Sequence, residues 1–254
     1  MSRAPYSAAL VTGAGHRIGR SIAIALATKG VAVGVHYSTS KEAALAVVAD
    51  IKACGGKACA VQADLSKVTD VQSLINDAAD ALGRPVDILI NNASIYEEDS
   101  LQTFTSASWD RHQKINLLAP LMLMQSMAAS LSETKAGAVI NIIDQRVLKL
   151  NPLYMSYTTT KAALWAATKT AAQALAPSIR VNAIGPGPTL ANEQQTAQDF
   201  AEEAAAVPLG KGPTPEEIAH AVNFILEAPA MTGQLIALDG GQHLAWRTAD
   251  IPKD

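Results

Sequence analysis

Short apolar, β-branched runs alternate with longer stretches of helical periodicity, and no other feature of the chain narrows its fold as much. The runs lie at Ala8–Thr12, Val31–Tyr37, Lys57–Ala63, Asp87–Asn91, Ala138–Ile143, Ile179–Ala183 and Gln234–Leu238. Each is apolar at nearly every position rather than at every second one. Strands of that kind are covered on both faces, as when helical crossovers lay helices over both sides of a parallel sheet. The expected fold class is α/β: a doubly wound parallel sheet of about seven strands with helices on both faces. Ligands then bind beyond the carboxyl ends of the strands.

With 254 residues, 49% of them hydrophobic, the chain can bury most of its apolar surface in one core. No Gly/Ser linker, charge block or repeat divides it, so a single domain over residues 1–254 is predicted. The stretch Pro186–Pro213 has little strand character and is rich in Gln, Glu and Ala. Its portion 188–213 is expected to form a mobile helical lid over the site, and 242–254 a C-terminal tail.

The formal charge of −3 leaves no basic excess for nucleic acid or for an anionic membrane. No run approaches the length needed to span a bilayer, and no secretory apolar segment precedes the first strand. A cytoplasmic protein is expected. Cys54 and Cys59 have the spacing of neither a zinc site nor a CxxC pair, which fits buried or incidental thiols, and no metal site is predicted.

The first run passes into Thr12-Gly13-Ala14-Gly15-His16-Arg17-Ile18-Gly19 and then the helical stretch Arg20–Lys29. A glycine-rich turn opening onto a helix N-terminus cradles a pyrophosphate, because unpaired N–H groups and the helix dipole both favour an anion. The cluster departs from G-x-G-x-x-G, and a tight strand-to-helix turn would also account for it; its place after the first strand favours a nucleotide. Arg17 stands where another glycine would let the backbone approach the phosphates. Its guanidinium is a candidate for the pyrophosphate or for an anionic substrate edge.

The second run ends in Gly34-Val35-His36-Tyr37-Ser38-Thr39-Ser40-Lys41, about twenty residues after the loop, where an acid usually meets the ribose hydroxyls of NAD. No acid occurs there before Glu42. Hydroxyls at Ser38, Thr39 and Ser40, beside Lys41 and a helix N-terminus, suit a 2′-phosphate, so NADP(H) is the expected cofactor. Ser40 can also cap the next helix. Asp64 and Leu65 follow the third run and Asn91-Asn92-Ala93-Ser94 closes the fourth, both at the ligand end of the sheet.

Tyr157 and Lys161, four apart in the helical stretch Met155–Leu175, share one face, with the ammonium placed to favour ionisation of the phenol. A tyrosine so tuned serves as a general acid. Alone, Y-x-x-x-K is a common surface pair; here it follows an apolar strand that ends at Asp144. Asn116 lies within the helical run Trp109–Leu131, and Pro120 four residues later cannot donate to its carbonyl. A free carbonyl and an amide at one kink can hold a water that passes protons from Lys161. A plain proline kink with a satisfied Asn is the alternative.

Together, Thr12 to Gly19, Asn91 to Ala93, Asn116, Tyr157 with Lys161, Pro186-Gly187, and Thr232-Gly233 with Asp239-Gly240-Gly241 resemble the short-chain dehydrogenase/reductase family across nearly the whole chain. The resemblance implies a Rossmann-like sheet, a hydride transfer with a nicotinamide dinucleotide, and Tyr157 as proton donor. It further implies Lys161 on the nicotinamide ribose while lowering the Tyr157 pKa, Asn116 in a water relay, and Asp64 at the adenine. His16, Ile18, His36, Tyr37, Leu65, Pro186 and Gly187 join the cofactor site on the same basis. A homotetramer through the helices Trp109–Leu131 and Met155–Leu175 is implied too.

Arg17 in place of a glycine, and Asp144 thirteen residues before Tyr157 where most members carry serine, resemble pteridine reductases and bacterial dihydromonapterin reductases. In that branch the aromatic residue shortly after Asn-Asn-Ala-Ser, here Tyr96, stacks on a pterin, and Arg17, Ser94, Asp144 and Tyr157 complete the substrate site. The implied activity is reduction of dihydropterins, such as dihydrobiopterin or dihydromonapterin, with NADPH. The alternatives are a carbonyl or alcohol oxidoreductase acting on a ketone, sugar or oxoacyl substrate, and a non-catalytic NADP-binding module. Asp144 also has a plainer alternative, capping the next segment or pairing with Arg146. Trp246 and Arg247 are candidates to complete a neighbouring subunit's pocket.

Overall fold

In the computed structural model, which describes residues 6–132, 135–192 and 195–246, the chain alternates strand and helix from end to end. The strands are β1 (Ala8–Val11), β2 (Ala32–Tyr37), β3 (Ala58–Gln62), β4 (Ile88–Asn91), β5 (Gly137–Ile142), β6 (Ile179–Pro186) and β7 (Leu235–Leu238). They form one parallel sheet in the order β3-β2-β1-β4-β5-β6-β7. The Rossmann-like, doubly wound α/β architecture expected from the apolar runs is the one observed, as a single domain.

The runs are continuously apolar because each strand feeds two cores. In β1, Ala9 and Val11 pack with helices α1 (Arg17–Thr28), α2 (Lys41–Ala53) and α8 (Pro215–Glu227), while Leu10 points to the other face. That face holds α3 (Val68–Leu82) and α5 (Ala119–Ser130), with Leu89 and Val139 alternating in the same way in β4 and β5. Leu10, Ile88, Leu89, Ile90 and Ile140 are fully buried. Each contributes about 1.5–3 kcal/mol relative to exposure, so the central strands anchor the loops at their ends.

Several boundaries differ from expectation. Helix α1 starts three residues early, at Arg17, and β6 runs on to Pro186. The region read as one helix, Trp109–Leu131, is α4 (Ser106–His112), a π-helical segment at 113–118, and α5. In place of a proline kink there is a π-helical turn, and Pro120 lies at the first turn of α5, where its missing N–H is tolerated. Within the expected lid, the one described helix is α7 (Ala197–Ala205), started by a Thr196/Asp199 capping box. The long helix α6 (Met155–Leu175) is as predicted. Cys54 is exposed and Cys59 partly buried, so neither is a fully buried core thiol. Among the described residues no helix is long and apolar enough to cross a membrane, and no group of three or more potential ligands could hold a metal.

Candidate active site

The strand order reverses between β1 and β4, and a cavity of about 790 Å³ opens there at the carboxyl ends. Gly13, His16 to Gly19, Asn92 to Glu97, Ile142 to Arg146, Tyr157, Lys161 and Pro186 to Leu190 line it, with Asn192, Gln195, Phe200, Glu203 and Gln242 from the lid and tail.

Backbone packing builds the nucleotide wall. Gly13 has a φ of +62°, and a Cβ there would meet Ala93 Cα at 3.1 Å; a Cβ on Gly19 would lie 2.3 Å from the Gly13 carbonyl oxygen. Gly15 is similarly tight against the Ala44 nitrogen. Asn92 Nδ2 donates to the Thr12 and Gly13 carbonyls, and Thr12 Oγ1 accepts from the N–H groups of Asn92 and Ala93. Helix α1 has no side-chain cap and no acid in its first turn, so its N-terminus is open to an anion. Ser38, Thr39, Ser40 and Lys41 are exposed at the end of β2, and the Ser40 side chain does not cap α2, so the capping alternative does not hold here.

Three residues expected at the cofactor have side chains buried among protein partners. His36 is buried under the glycine turn: Nδ1 accepts from the Gly13 N–H at 3.0 Å, and Nε2 donates to the Ala63 carbonyl at 3.1 Å. Both ring nitrogens are thereby engaged, and burial pushes the imidazole pKa down to about 4. Asn91 Nδ2 donates to Asn141 Oδ1 within the sheet, and Leu65 belongs to the core facing α3. Asp64, by contrast, is half-buried at the end of β3 and takes up the Ser66 hydroxyl and N–H, which hold its carboxyl below the usual range.

The opposite wall brings together distant segments. Tyr157 Oη donates to Asp144 Oδ2 at 2.9 Å, and the Arg146 N–H donates to Asp144 Oδ1 at 2.7 Å. Asp144 thus caps the short turn after β5 and faces the phenol at once. Lys161, 3% exposed, donates from Nζ to the Ile142 carbonyl at 2.9 Å, with Nζ 5.5 Å from the Tyr157 ring centroid. Asn116 bridges the Ile95 N–H and carbonyl with its amide and approaches Thr160 Oγ1 at 3.4 Å. Tyr96 stacks on Tyr154, with centroids 4.1 Å apart, and meets Tyr157 edge to face. Its oxygen accepts from Arg146 Nη2 at 2.9 Å. Ser94 is exposed at the cavity edge.

The family profile of short chain dehydrogenase matches residues 7–202. The chain belongs to the short-chain dehydrogenase family. The crystal structure of FolM alternative dihydrofolate reductase 1 from Brucella canis, complexed with NADP, shares 46% identity with this short-chain dehydrogenase. It superposes with a TM-score of 0.95, over 98% of this chain and 99% of that one. An uncharacterized oxidoreductase of Methylorubrum extorquens is 38% identical over 95% of this chain and 99% of its own. A 3-oxoacyl-[acyl-carrier-protein] reductase of Synechocystis is 36% identical over 92% and 95%.

In this short-chain dehydrogenase the electrostatics of the Tyr157 pair differ from the sequence expectation. Burial, reinforced by the Asp144 carboxyl, raises the Tyr157 pKa well above its ordinary value, so the phenol is not acidified by Lys161 here. Burial also raises the Asp144 pKa, against the Arg146 N–H and guanidinium, the Tyr157 hydroxyl and Lys161. The Lys161 ammonium is pushed down to about 8 by burial, with Asp144 opposing. A carboxyl whose pKa is raised, hydrogen-bonded to a neutral phenol, is a pair through which a proton can pass.

Arg17 and Tyr96 both line the cavity, and each also holds a partner that the sequence did not indicate. The Arg17 guanidinium donates to the carbonyls of Leu190 and Ala191 at 3.0 and 2.6 Å, tying the N-terminus of α1 to the lid segment. Tyr96 carries Tyr154 on one face. Tyr154 itself was not anticipated: it has a φ of +56°, and its N–H donates to the Asp99 carbonyl. A non-glycine residue held in that region beside an active site stores strain of about 1–3 kcal/mol, but nothing in the local sequence marks it. Trp246 is exposed, and Arg247 lies outside the described residues.

Proposed function

We propose that this short-chain dehydrogenase is an NADPH-dependent reductase of dihydropterins, such as dihydrobiopterin or dihydromonapterin, to their tetrahydro forms. The Asp144–Tyr157 hydrogen bond within the cavity carries this reading. A ketone taking up hydride develops negative charge on oxygen, which a carboxylate in that position repels. An imine nitrogen must instead gain a proton as hydride reaches its carbon, and a carboxyl whose pKa burial raises can relay that proton and offset the positive charge that builds up. The 46% identity with the Brucella canis protein over nearly the whole chain supports the same substrate class.

The cofactor fits the nucleotide wall, where the uncapped N-terminus of α1 lines the cavity and the acid-free end of β2 offers Ser38 to Lys41 to a 2′-phosphate. NADPH, when bound, supplies the hydride. Lys161 would hold the nicotinamide ribose, Tyr157 would return a proton to Asp144 through their hydrogen bond, and Asn116 would serve the exchange of protons with water. Residues 188–213 act as the lid, held by Arg17. The assembly is a homotetramer through the α4–α5 and α6 faces, with a tail at 242–254.

The second reading is reduction of an oxoacyl thioester, favoured by the similarity to 3-oxoacyl-[acyl-carrier-protein] reductases. NADPH oxidation with dihydrobiopterin, dihydromonapterin, an acetoacetyl thioester and a panel of ketones separates the two. Turnover of a dihydropterin well above every carbonyl compound is expected. Turnover of the thioester with no pterin activity establishes the second reading instead.

A further inference from the structure

Arg146 is part of a closed circuit of contacts that the chemistry proposed above does not use. Its N–H donates to Asp144 Oδ1, its Nη2 donates to the Tyr96 oxygen, and Tyr96 meets the edge of Tyr157, which donates back to Asp144. The guanidinium carbon lies 5.8 Å from the Tyr96 centroid and 5.1 Å from that of Tyr154, at the rim of their stack. Nη1 is buried and has no hydrogen-bond partner among the described residues. Nη1 is thus available to a further hydrogen-bond acceptor at this wall.

We propose that Arg146 is a positioning residue for proton transfer: its guanidinium fixes the Tyr96 ring against Tyr154 while its N–H holds the Asp144 carboxyl, bringing a cation to the Asp144–Tyr157 pair. The titratable and charged groups facing Asp144 are Arg146 from its own turn, Tyr157 and Lys161 from α6, and Tyr96 from the segment after β4. Both tyrosines are neutral and withhold charge. Lys161 gives one hydrogen bond to the Ile142 carbonyl and also favours the ionised Asp144. Arg146 is thus bonded to the carboxyl through its N–H and to Tyr96 through its guanidinium, and its charge, with that of Lys161, opposes the desolvation that would otherwise make Asp144 too weak an acid to donate efficiently.

The test reads Asp144 directly by carboxyl NMR of the protein labelled with carbon-13 at aspartate, without ligand, with Asp144→Asn assigning the signal. Arg146→Met and Arg146→Gln should move the Asp144 titration upward by about one pH unit or more, and Arg146→Lys, which keeps the charge, by less than about half a unit. Tyr96→Phe, which cuts only the tether, should give a smaller upward shift. The alkaline limb of kcat/KM for the dihydropterin should move the same way while the maximal rate falls, with KM for NADPH unchanged. A purely structural arginine would lower the melting temperature and move neither profile. Unchanged Asp144 titration in Tyr96→Phe and in whichever uncharged Arg146 variant folds overturns the proposal. The effect on the pH profile rests on the dihydropterin reading, whereas the Asp144 titration does not. A parent protein inactive on pterins would defeat the first and leave the second standing.

Discussion

The nucleotide wall of the cavity is built from β1, the glycine turn, α1 and the end of β2, a nearly contiguous stretch whose shape is set by backbone. The opposite wall draws Tyr96, the Asp144–Arg146 turn, and Tyr154 with Tyr157 from three separated segments, and side chains set its shape. Arg146 and Tyr96 are 50 residues apart in the chain yet share a hydrogen bond. Backbone geometry serves the invariant part of a dinucleotide, whereas the charge and ring contacts of the second wall can specialise without disturbing it.

The largest effect should come from the side-chain wall. Asp144→Ser keeps an oxygen for the Arg146 N–H but removes the proton donor, so kcat/KM for dihydropterin should fall by about 10²–10⁴. NADPH affinity, measured by fluorescence titration, should stay near the parent value, and weak ketone turnover is a further outcome. Equal pterin rates in parent and variant would break the division of labour between the walls.

His36 gives the backbone wall its own pH signature. Its folded-state pKa of about 4 lies below the ordinary 6.5, so the unfolded chain binds the proton first. The contribution is complete above pH 6.5 and is lost as pH falls toward 4, amounting to about 3 kcal/mol. Denaturant unfolding at a series of pH values should therefore show a flatter acid slope for His36→Asn, which keeps an acceptor for the Gly13 N–H but cannot charge. An identical slope would mean that His36 is not the buried neutral brace.

Gly19→Ala attacks the same wall without charge. Its methyl would meet the Gly13 carbonyl oxygen at 2.3 Å, so a loss of about 1–3 kcal/mol in stability and weaker NADPH binding are expected, with no change in the pH profile of the bound enzyme. Unaltered melting and affinity would show that the turn relaxes freely. The smallest effect belongs to the cofactor's far end: Ser38→Asp or Thr39→Asp should shift preference toward NADH by about tenfold through repulsion of the 2′-phosphate. Steady-state kinetics with both cofactors checks it, and a parent that already prefers NADH would remove its premise.

Much of this protein was written locally. Continuous apolar runs specified buried parallel strands, the glycine turn after β1 located the nucleotide wall, and the four-residue spacing of Tyr157 and Lys161 put them on one face of α6. Those features depend on hydrogen-bond periodicity and chain connectivity, which act over a few residues and leave a pattern in composition. What tertiary structure alone decided was where side chains meet: His36 turned under the glycine turn, Tyr96 against Tyr154, Arg17 to the lid carbonyls, and Asn116 in a π turn. Each depends on the position of a group from a distant segment, and on which charge burial leaves unpaired. Desolvation follows from that packing, so the reversal of the expected Tyr157 acidity could not be read from the Tyr157–Lys161 spacing.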